Sequence, residues 1–415
     1  MARDLRAFLN GARLLGDLEA LAKFGALPEG GISRPAFSPA FQDAADWLIQ
    51  RMEEAGLSVR IDAAGNIIGR MGPPGPAIVC GSHIDTVPGG GHLDGALGVL
   101  AGLECARALS EAAIPLAHAL EIIAFADEEG AYVSLFGSRA MMGELTPNIL
   151  QSTNFLTLSV EMAAVGFQTA RLAEAHRDPS EIAAYLELHI EQGPVLEDAG
   201  LKVGVVDSIV GMDLVRYRFI GEARHAGSTP MNVRRDAVRG ACDAVSTAFE
   251  NMEAEGASAS GRMTFGNIRV LPGASNVVPS EAIVTSEVRA GSAGDLQRLR
   301  SLVDAAFGGA ARRNNLALHE DSPELDEAAP LTPRIIETIT QVADAIGTPV
   351  LRMPSGACHD AQIFARKVPT GMIFVASRGG VSHHPDEFSD ADAIIAGAGL
   401  LLCSLGELLS GGTRS

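Results

Sequence analysis

The sequence predicts an α/β protein in which a discontinuous domain, built on a mixed and largely parallel sheet, is interrupted by a ferredoxin-like α+β domain. Helical stretches alternate with short apolar runs up to residue 211 and again after 326, a pattern that indicates much parallel pairing. Between them, residues 212–325 read strand–helix–strand–strand–helix–strand, the order of a ferredoxin-like insert. Charge changes at the same borders. Within 212–325, 13 arginines face 14 acidic residues, whereas the rest of the chain carries nearly all of the formal net charge of −19. The expected division is therefore residues 1–211 with 326–415 as one domain and 212–325 as the other. A chain of 415 residues has ample core for both.

Residues 4–24 carry charges every few positions and read as an amphipathic helix, neither a signal peptide nor a membrane span. Residues 39–55 form a second helix, with Phe41, Ala45, Leu48 and Met52 at helical spacing. Residues 57–60 and 66–70 pair as a hairpin around Ala63-Ala64-Gly65. The apolar run 76–80 is a buried strand, 96–109 a largely apolar helix, and 122–126 a second apolar strand. Residues 144–183 are helix-rich, and the alternating stretch that follows is a strand delivering His189 near its end. In the insert, strands are expected at 216–220, 262–270, 282–289 and 316–320, with helices at 234–252 and 295–311. Pro333 opens a helix to 346, at a first-turn position where its missing N–H costs nothing. A strand at 371–376 and a helix at 390–409 complete the chain. No run is expected to reach membrane-spanning length.

The negative balance argues against nucleic acid or an anionic membrane as partner. The five cysteines (80, 105, 242, 358 and 403) are odd in number, scattered and free of Cys-x-x-Cys pairs. That fits a reducing cytoplasm better than a disulfide framework.

Chemistry gathers at the expected strand ends, where ligands collect in α/β sheets. After the strand at 76–80 come His83, Asp85 and, beyond a Pro-Gly-Gly-Gly turn, Asp94. Imidazole and carboxylate there can form half of a zinc site, with Asp85 orienting the His83 ring. A helix-capping Asp94 and a solvent-exposed His83 would account for the same stretch. The next strand ends in Asp127-Glu128-Glu129, by itself the composition of a solvated turn; the next delivers His189; after 371–376 comes the pair His383-His384. A two-metal hydrolytic centre needs this supply. Asp94 can bridge, His83 and His189 can complete one metal, Glu129 and His383 the other, and Glu128 can act as general base. Neutral imidazoles and carboxylates suit two Zn2+, with Mn2+, Co2+ or Ni2+ as alternatives. His92, His118, His176 and His319 read as ordinary residues.

The motifs Gly81-Ser-His-Ile-Asp-Thr-Val-Pro, Leu93-Asp-Gly-Ala-Leu-Gly-Val-Leu, Asp127-Glu-Glu-Gly with Gly137-Ser-Arg-Ala, Glu187-Leu-His-Ile-Glu-Gln-Gly-Pro, His225-Ala-Gly-Ser-Thr-Pro-Met, Ser355-Gly-Ala-Cys-His-Asp-Ala and Val381-Ser-His extend over nearly the whole chain. With them the sequence resembles the dinuclear zinc amidohydrolases that include N-carbamoyl-L-amino-acid hydrolase, allantoate amidohydrolase and β-ureidopropionase, relatives of zinc aminoacylases and carboxypeptidases. The resemblance implies a zinc-exopeptidase-like catalytic domain and an inserted lid and dimerisation domain, hence a homodimer. It implies metal ligands at His83, Asp94, Glu129, His189 and His383 and the base at Glu128. It further implies that His225 stabilises the oxyanion across the dimer, that Asn276 and Arg289 hold the substrate carboxylate, and that Gln192 lines the pocket.

The implied reaction is hydrolysis of a linear amide or ureido bond in a small carboxylate, foremost an N-carbamoyl-L-amino acid, giving amino acid, carbon dioxide and ammonia. Allantoate or a related ureide is the alternative substrate. An N-acyl-amino-acid hydrolase or dipeptidase is disfavoured by His189, where that branch usually has a carboxylate. A binding protein on a degenerate scaffold would have lost a ligand or the base, and none is lost. The sequence departs from the family pattern at His92, Arg224, Ala131-Tyr132 and His384, none of them an implied ligand.

Overall fold

The computed structural model describes residues 3–411 apart from 260 and 322. Its strands are β1 (Ser58–Ile61), β2 (Ile67–Met71), β3 (Ala77–His83), β4 (Ala119–Phe125), β5 (Ile182–Ile190), β6 (Val203–Ile209), β7 (Gly211–Ile220), β8 (Arg224–His225), β9 (Gly261–Leu271), β10 (Val277–Val278), β11 (Glu281–Ala290), β12 (Ala317–Glu320), β13 (Glu324–Asp326), β14 (Ala329–Pro330), β15 (Val350–Ser355) and β16 (Thr370–Val375). The chain falls into two compact units, Met1–Asp207 with Pro330–Ser415, and Ser208–Ala329.

The first unit is organised by a sheet in the order β1-β2-β4-β3-β5-β16-β6-β14, with β15 also paired to β6. Its centre is parallel: β4 with β3, β3 with β5, and β5 with β16. The flanks are antiparallel, β2 on β4 and β6 on β16. All residues of β3, β4 and β16 are buried, which is why most of each strand reads as an apolar run rather than an alternating one. Register brings the carboxyl ends level, His83 beside Phe125 and Val375 beside Ile190. Residues that follow these strands therefore emerge along one edge.

Three expectations are corrected. The helix expected over 4–24 begins only at Gly11, because the Asn10 side chain accepts the Arg13 N–H at 3.0 Å and caps it; Arg6–Phe8 is a separate 3-10 turn. Strands β6, β14 and β15 correspond to no expected element. The final helix, Ala391–Leu409, is long and apolar enough to cross a membrane by length and composition. It is mostly buried against the first unit, so it is a core helix whose apolar surface is used inside the fold.

In the second unit β12-β7-β11-β9 form an antiparallel sheet. With the helices Ala237–Ala254 and Ala293–Arg313 it follows the ferredoxin-like element order. Alternate residues of β7 and β11 face the helices: Val215, Tyr217, Phe219, Ala282, Val284 and Val288 join Phe307, Val303 and Ala244 in one apolar core. The opposite face of β7 is exposed at Arg216 and Arg218.

Candidate metal centre

Four segments of the first unit meet at the carboxyl edge of the sheet. β3 ends on His83. The loop behind it returns at Asp94, which precedes the helix Ala96–Glu111. β4 is followed by Glu128 and Glu129, β5 carries His189, and His383 lies beyond β16. Two donor groups result, His83–Asp94–His189 and Asp94–Glu129–His383, and Asp94 belongs to both. Its Oδ1 lies 3.0 Å from His189 Nε2 and 3.7 Å from His83 Nε2; its Oδ2 lies 3.4 Å from His383 Nε2, which is also 3.4 Å from Glu129 Oε2. Glu128 Oε2 stands 3.4 Å from His83 Nε2. The capping, solvent-exposed alternative for this stretch is not what the structure shows, since His83 is 2 % exposed.

Backbone groups set the chemistry of the two buried imidazoles. His83 Nδ1 is 3.0 Å from the Asp85 carbonyl and His189 Nδ1 is 2.9 Å from the Ile190 carbonyl. A ring that donates from Nδ1 keeps, when neutral, a lone pair on Nε2. The Gly95 N–H, 3.3 Å from His189 Nε2, agrees with that tautomer. Both lone pairs face an Asp94 oxygen, and two acceptors so placed repel unless a cation or proton lies between them. The Asp85 carboxylate accepts the Glu128 and Glu129 N–H groups at 3.4 and 3.2 Å, tying the first loop to the second. Gly95 has a left-handed φ of +63°, and a side chain there would overlap the His83 ring, so only glycine fits beside Asp94. Asp127, Gln192 and His383 also adopt left-handed φ of 54–58°, a strained conformation costing on the order of 1 kcal/mol each that clusters at functional sites.

The electrostatics ask for positive charge. Burial pushes the Glu128 carboxyl well above the ordinary range; His83 opposes this, while Glu129, Asp360 and Asp85 add to it. Burial, with the neighbouring Asp94 charge, raises Glu129 to about 7. Asp94 is held well below the usual range, because His189, His383 and His83 outweigh the effect of burial. Buried carboxylates in excess, imidazole lone pairs aimed inward and a shared carboxylate form a nitrogen–oxygen donor set that fits a divalent metal cofactor.

Several contributing residues escaped the sequence reading. Arg34, 1 % exposed, donates to the carbonyls of Leu21, Phe24 and Ile84 and so fixes the chain beyond β3. Glu187, His189 and His359 form a third donor group. Its Glu187 already accepts from Ser82 at 2.8 Å, Tyr185 at 3.0 Å and the Ala361 N–H at 2.9 Å, and His359 Nε2 meets Ser355 Oγ at 2.8 Å. That group supports the floor of the site. Gln192, expected to line the pocket, donates to Asp94 Oδ2 at 2.7 Å. Glu387 is buried and bound to the Leu93–Asp94 backbone; the only signal in the sequence was an acid a few residues after His383.

The remaining expected residues lie in the second unit. His225 is exposed, and its Nδ1 accepts the N–H groups of Gly227 and Ser228 at 3.1 and 3.2 Å. The ring thus caps the following turn, and the proton is left on Nε2. His225 pairs with Val277, next to the exposed Asn276, whose carbonyl accepts the Ala226 N–H. Arg289, on β11, donates from Nε to Glu287 at 2.7 Å.

Imidazoles and carboxylates gathered around a shared aspartate at the end of a parallel sheet are the donor arrangement expected of a metal-dependent hydrolase. Residues 79–406 match peptidase family M20/M25/M40, and the chain belongs to that family. It is 37% identical over 414 residues to an N-carbamoyl-L-amino acid amidohydrolase of Geobacillus stearothermophilus, covering 97% of this chain and 100% of the relative. It is 34% identical to the allantoate amidohydrolase of Escherichia coli K12, covering 94% and 95%. A crystal structure of an amidase of the hydantoinase/carbamoylase family from Burkholderia phymatum superposes with a TM-score of 0.82 at 35% identity, covering 98% of this chain and 99% of that one.

Proposed function

We propose that the protein hydrolyses a linear amide or ureido C–N bond in a small carboxylate-bearing substrate, foremost an N-carbamoyl-L-amino acid. The observation that carries this reading is the pair of donor groups sharing Asp94, with Glu128 beside His83. Full-length likeness to a carbamoyl-amino-acid amidohydrolase supports the substrate class. Likeness to an allantoate amidohydrolase favours allantoate as the second reading; an N-acyl substrate ranks third.

In this proposal His83, Asp94 and His189 hold one Zn2+, and Asp94, Glu129 and His383 hold the other, with Mn2+, Co2+ or Ni2+ able to replace them. When bound, the ions supply Lewis-acid polarisation of the carbonyl and charge stabilisation. The protein does the rest. Glu128, kept from charging readily by burial, takes a proton from the attacking water and returns it to the leaving nitrogen. His225, whose Nε2 bears the proton, donates to the oxyanion. Arg289 and Asn276 receive the substrate carboxylate, and the second unit serves as lid and as the interface of a homodimer. One water is consumed; a carbamoyl substrate yields amino acid, carbon dioxide and ammonia. A cytoplasmic setting is part of the proposal and accords with five free cysteines.

The test is ammonia and amino-acid release after metal reconstitution from N-carbamoyl-L-amino acids, allantoate, β-ureidopropionate and N-acetyl-L-amino acids, with Glu128→Gln as control. Turnover of carbamoyl substrates that disappears in the variant is the expected result. A marked preference for allantoate moves the enzyme to the second reading. Free amino acid without ammonia, from the acetyl compounds alone, moves it to the third.

A further inference from the structure

We propose that Glu387 and Ser382 form a positioning clamp that sets the direction of the Asp94 carboxylate and thereby how tightly the two donor groups hold metal. The clamp rests on the metal-dependent reading above. Glu387 is 2 % exposed. Its Oε1 accepts the N–H groups of Leu93 at 2.9 Å and Asp94 at 3.1 Å, across 294 and 293 residues of sequence. Its Oε2 lies 2.9 Å from Ser382 Oγ, and the same hydroxyl oxygen lies 3.0 Å from Asp94 Oδ2. One glutamate therefore grips the backbone that carries Asp94 and, through Ser382, approaches the carboxylate itself.

The arrangement separates the two Asp94 oxygens by task. Oδ2 meets Ser382 and the Gln192 amide, the latter at 2.7 Å. Oδ1 is left to face His189 and His83. A carboxylate held by neutral donors on one oxygen cannot rotate about its χ2 without breaking those bonds. Glu387 also ties the loop bearing His383 to the loop bearing Asp94, two metal-donor segments from opposite ends of the chain. The turn before Asp94 makes room for it: a side chain at Gly91 would overlap the Glu387 carboxylate. A Ser hydroxyl has one proton to give and here stands between two carboxylates, so the cluster is built around this contact.

Substituting groups that orient metal ligands typically costs ten- to a hundredfold in metal affinity. Competitive chelator titration of the metal-free protein with Zn2+ reads this without reference to turnover. Ser382→Ala removes the hydroxyl at Oδ2 and is expected to weaken Zn2+ binding about tenfold, with the larger loss in the step assigned to Glu129 and His383. Glu387→Ala is expected to weaken both steps, up to about a hundredfold. Glu387→Gln restores most of the affinity, because its amide oxygen accepts the same two N–H groups and its NH2 donates to Ser382, whose proton then goes to Asp94. Circular dichroism and melting temperature report the fold. If Glu387→Ala does not fold, Ser382→Ala and Glu387→Gln decide. Wild-type affinity in Ser382→Ala together with wild-type or equally reduced affinity in both Glu387 variants overturns the clamp while leaving the hydrolase reading intact. A wild-type protein that binds no Zn2+ removes the hydrolase reading and the clamp with it.

Discussion

The two units bury different things. In the second, among the described residues, Asp213 and Ser286 are the buried polar side chains, and Asp213 is met by Arg300 at 3.2 Å. Its interior is otherwise apolar, around the Tyr217–Phe307 and Phe219–Phe307 contacts. The first unit buries Asp85, Asp94, Glu128, Glu187, Asp360 and Glu387 near the ends of parallel strands. Such burial is costly unless the groups are paired, hydrogen-bonded or hold metal. The apolar core of the second unit serves stability, while His225 and Asn276 stand exposed outside it. The other unit gives up stability to hold charge where chemistry needs it, as sites with perturbed carboxylates do.

The largest expected effect lies in the charged unit. Glu128→Gln should lower kcat by about 10²–10⁴ without lowering the melting temperature, since a buried carboxyl is replaced by an amide. Steady-state rates beside thermal melts check both halves, and a variant that loses fold and rate together would erase the distinction. Next comes Phe307→Ala in the apolar unit. It should cost about 3–5 kcal/mol in denaturant unfolding while the metal content of the folded fraction is unchanged.

The metal-free protein should show a smaller effect with a definite sign. Glu129 is raised from an ordinary value to about 7 by burial and the charge on Asp94. Its folded-state pKa exceeds the unfolded one, so its contribution is present below about pH 4.5 and is lost as pH rises through about 7. Urea melts of the apo-protein from pH 5 to 8 should fall by a few kcal/mol, and added Zn2+ should remove the slope. Stability that climbs with pH in the apo-protein would mean these carboxylates are already compensated. The smallest effect belongs to the exposed Arg298–Glu255 pair, where Arg298→Ala should change stability by about 0.5 kcal/mol or less.

The same contrast governs what the sequence made legible. Buried strands β3 and β4 and the candidate donor residues at their ends stand out because an apolar run that stops at His or Asp is a local pattern, and β16 stands out by its apolar run alone. The helix–sheet core of the second unit is equally legible, from alternation in β7 and β11. Hidden were features made by long-range contact. Glu387 reads as part of a polar turn until Gly91 and the Leu93–Asp94 backbone close over it. Arg34 reads as a surface arginine until carbonyls from two other segments surround it. The Asn10 cap was readable, yet the charge pattern over 4–24 concealed it. The family resemblance makes His225 a catalytic donor. Its Nδ1 caps the following turn, and that bond directs the proton to the other nitrogen.

The place of β16 in the sheet has a consequence for how the protein is made. β5 and β6 are separated by residues 191–202, which include the short helix Val195–Asp198, but β16 lies between them in the sheet. Residues 191–369, the whole second unit among them, are translated before that slot can be filled. At about 5–20 residues per second, a nascent chain spends on the order of ten to forty seconds with the sheet open at its centre and with His383, Ser382 and Glu387 still unsynthesised. The inserted unit has by then left the ribosome with its sheet complete and is free to fold first. The candidate metal site is the last thing this chain can build.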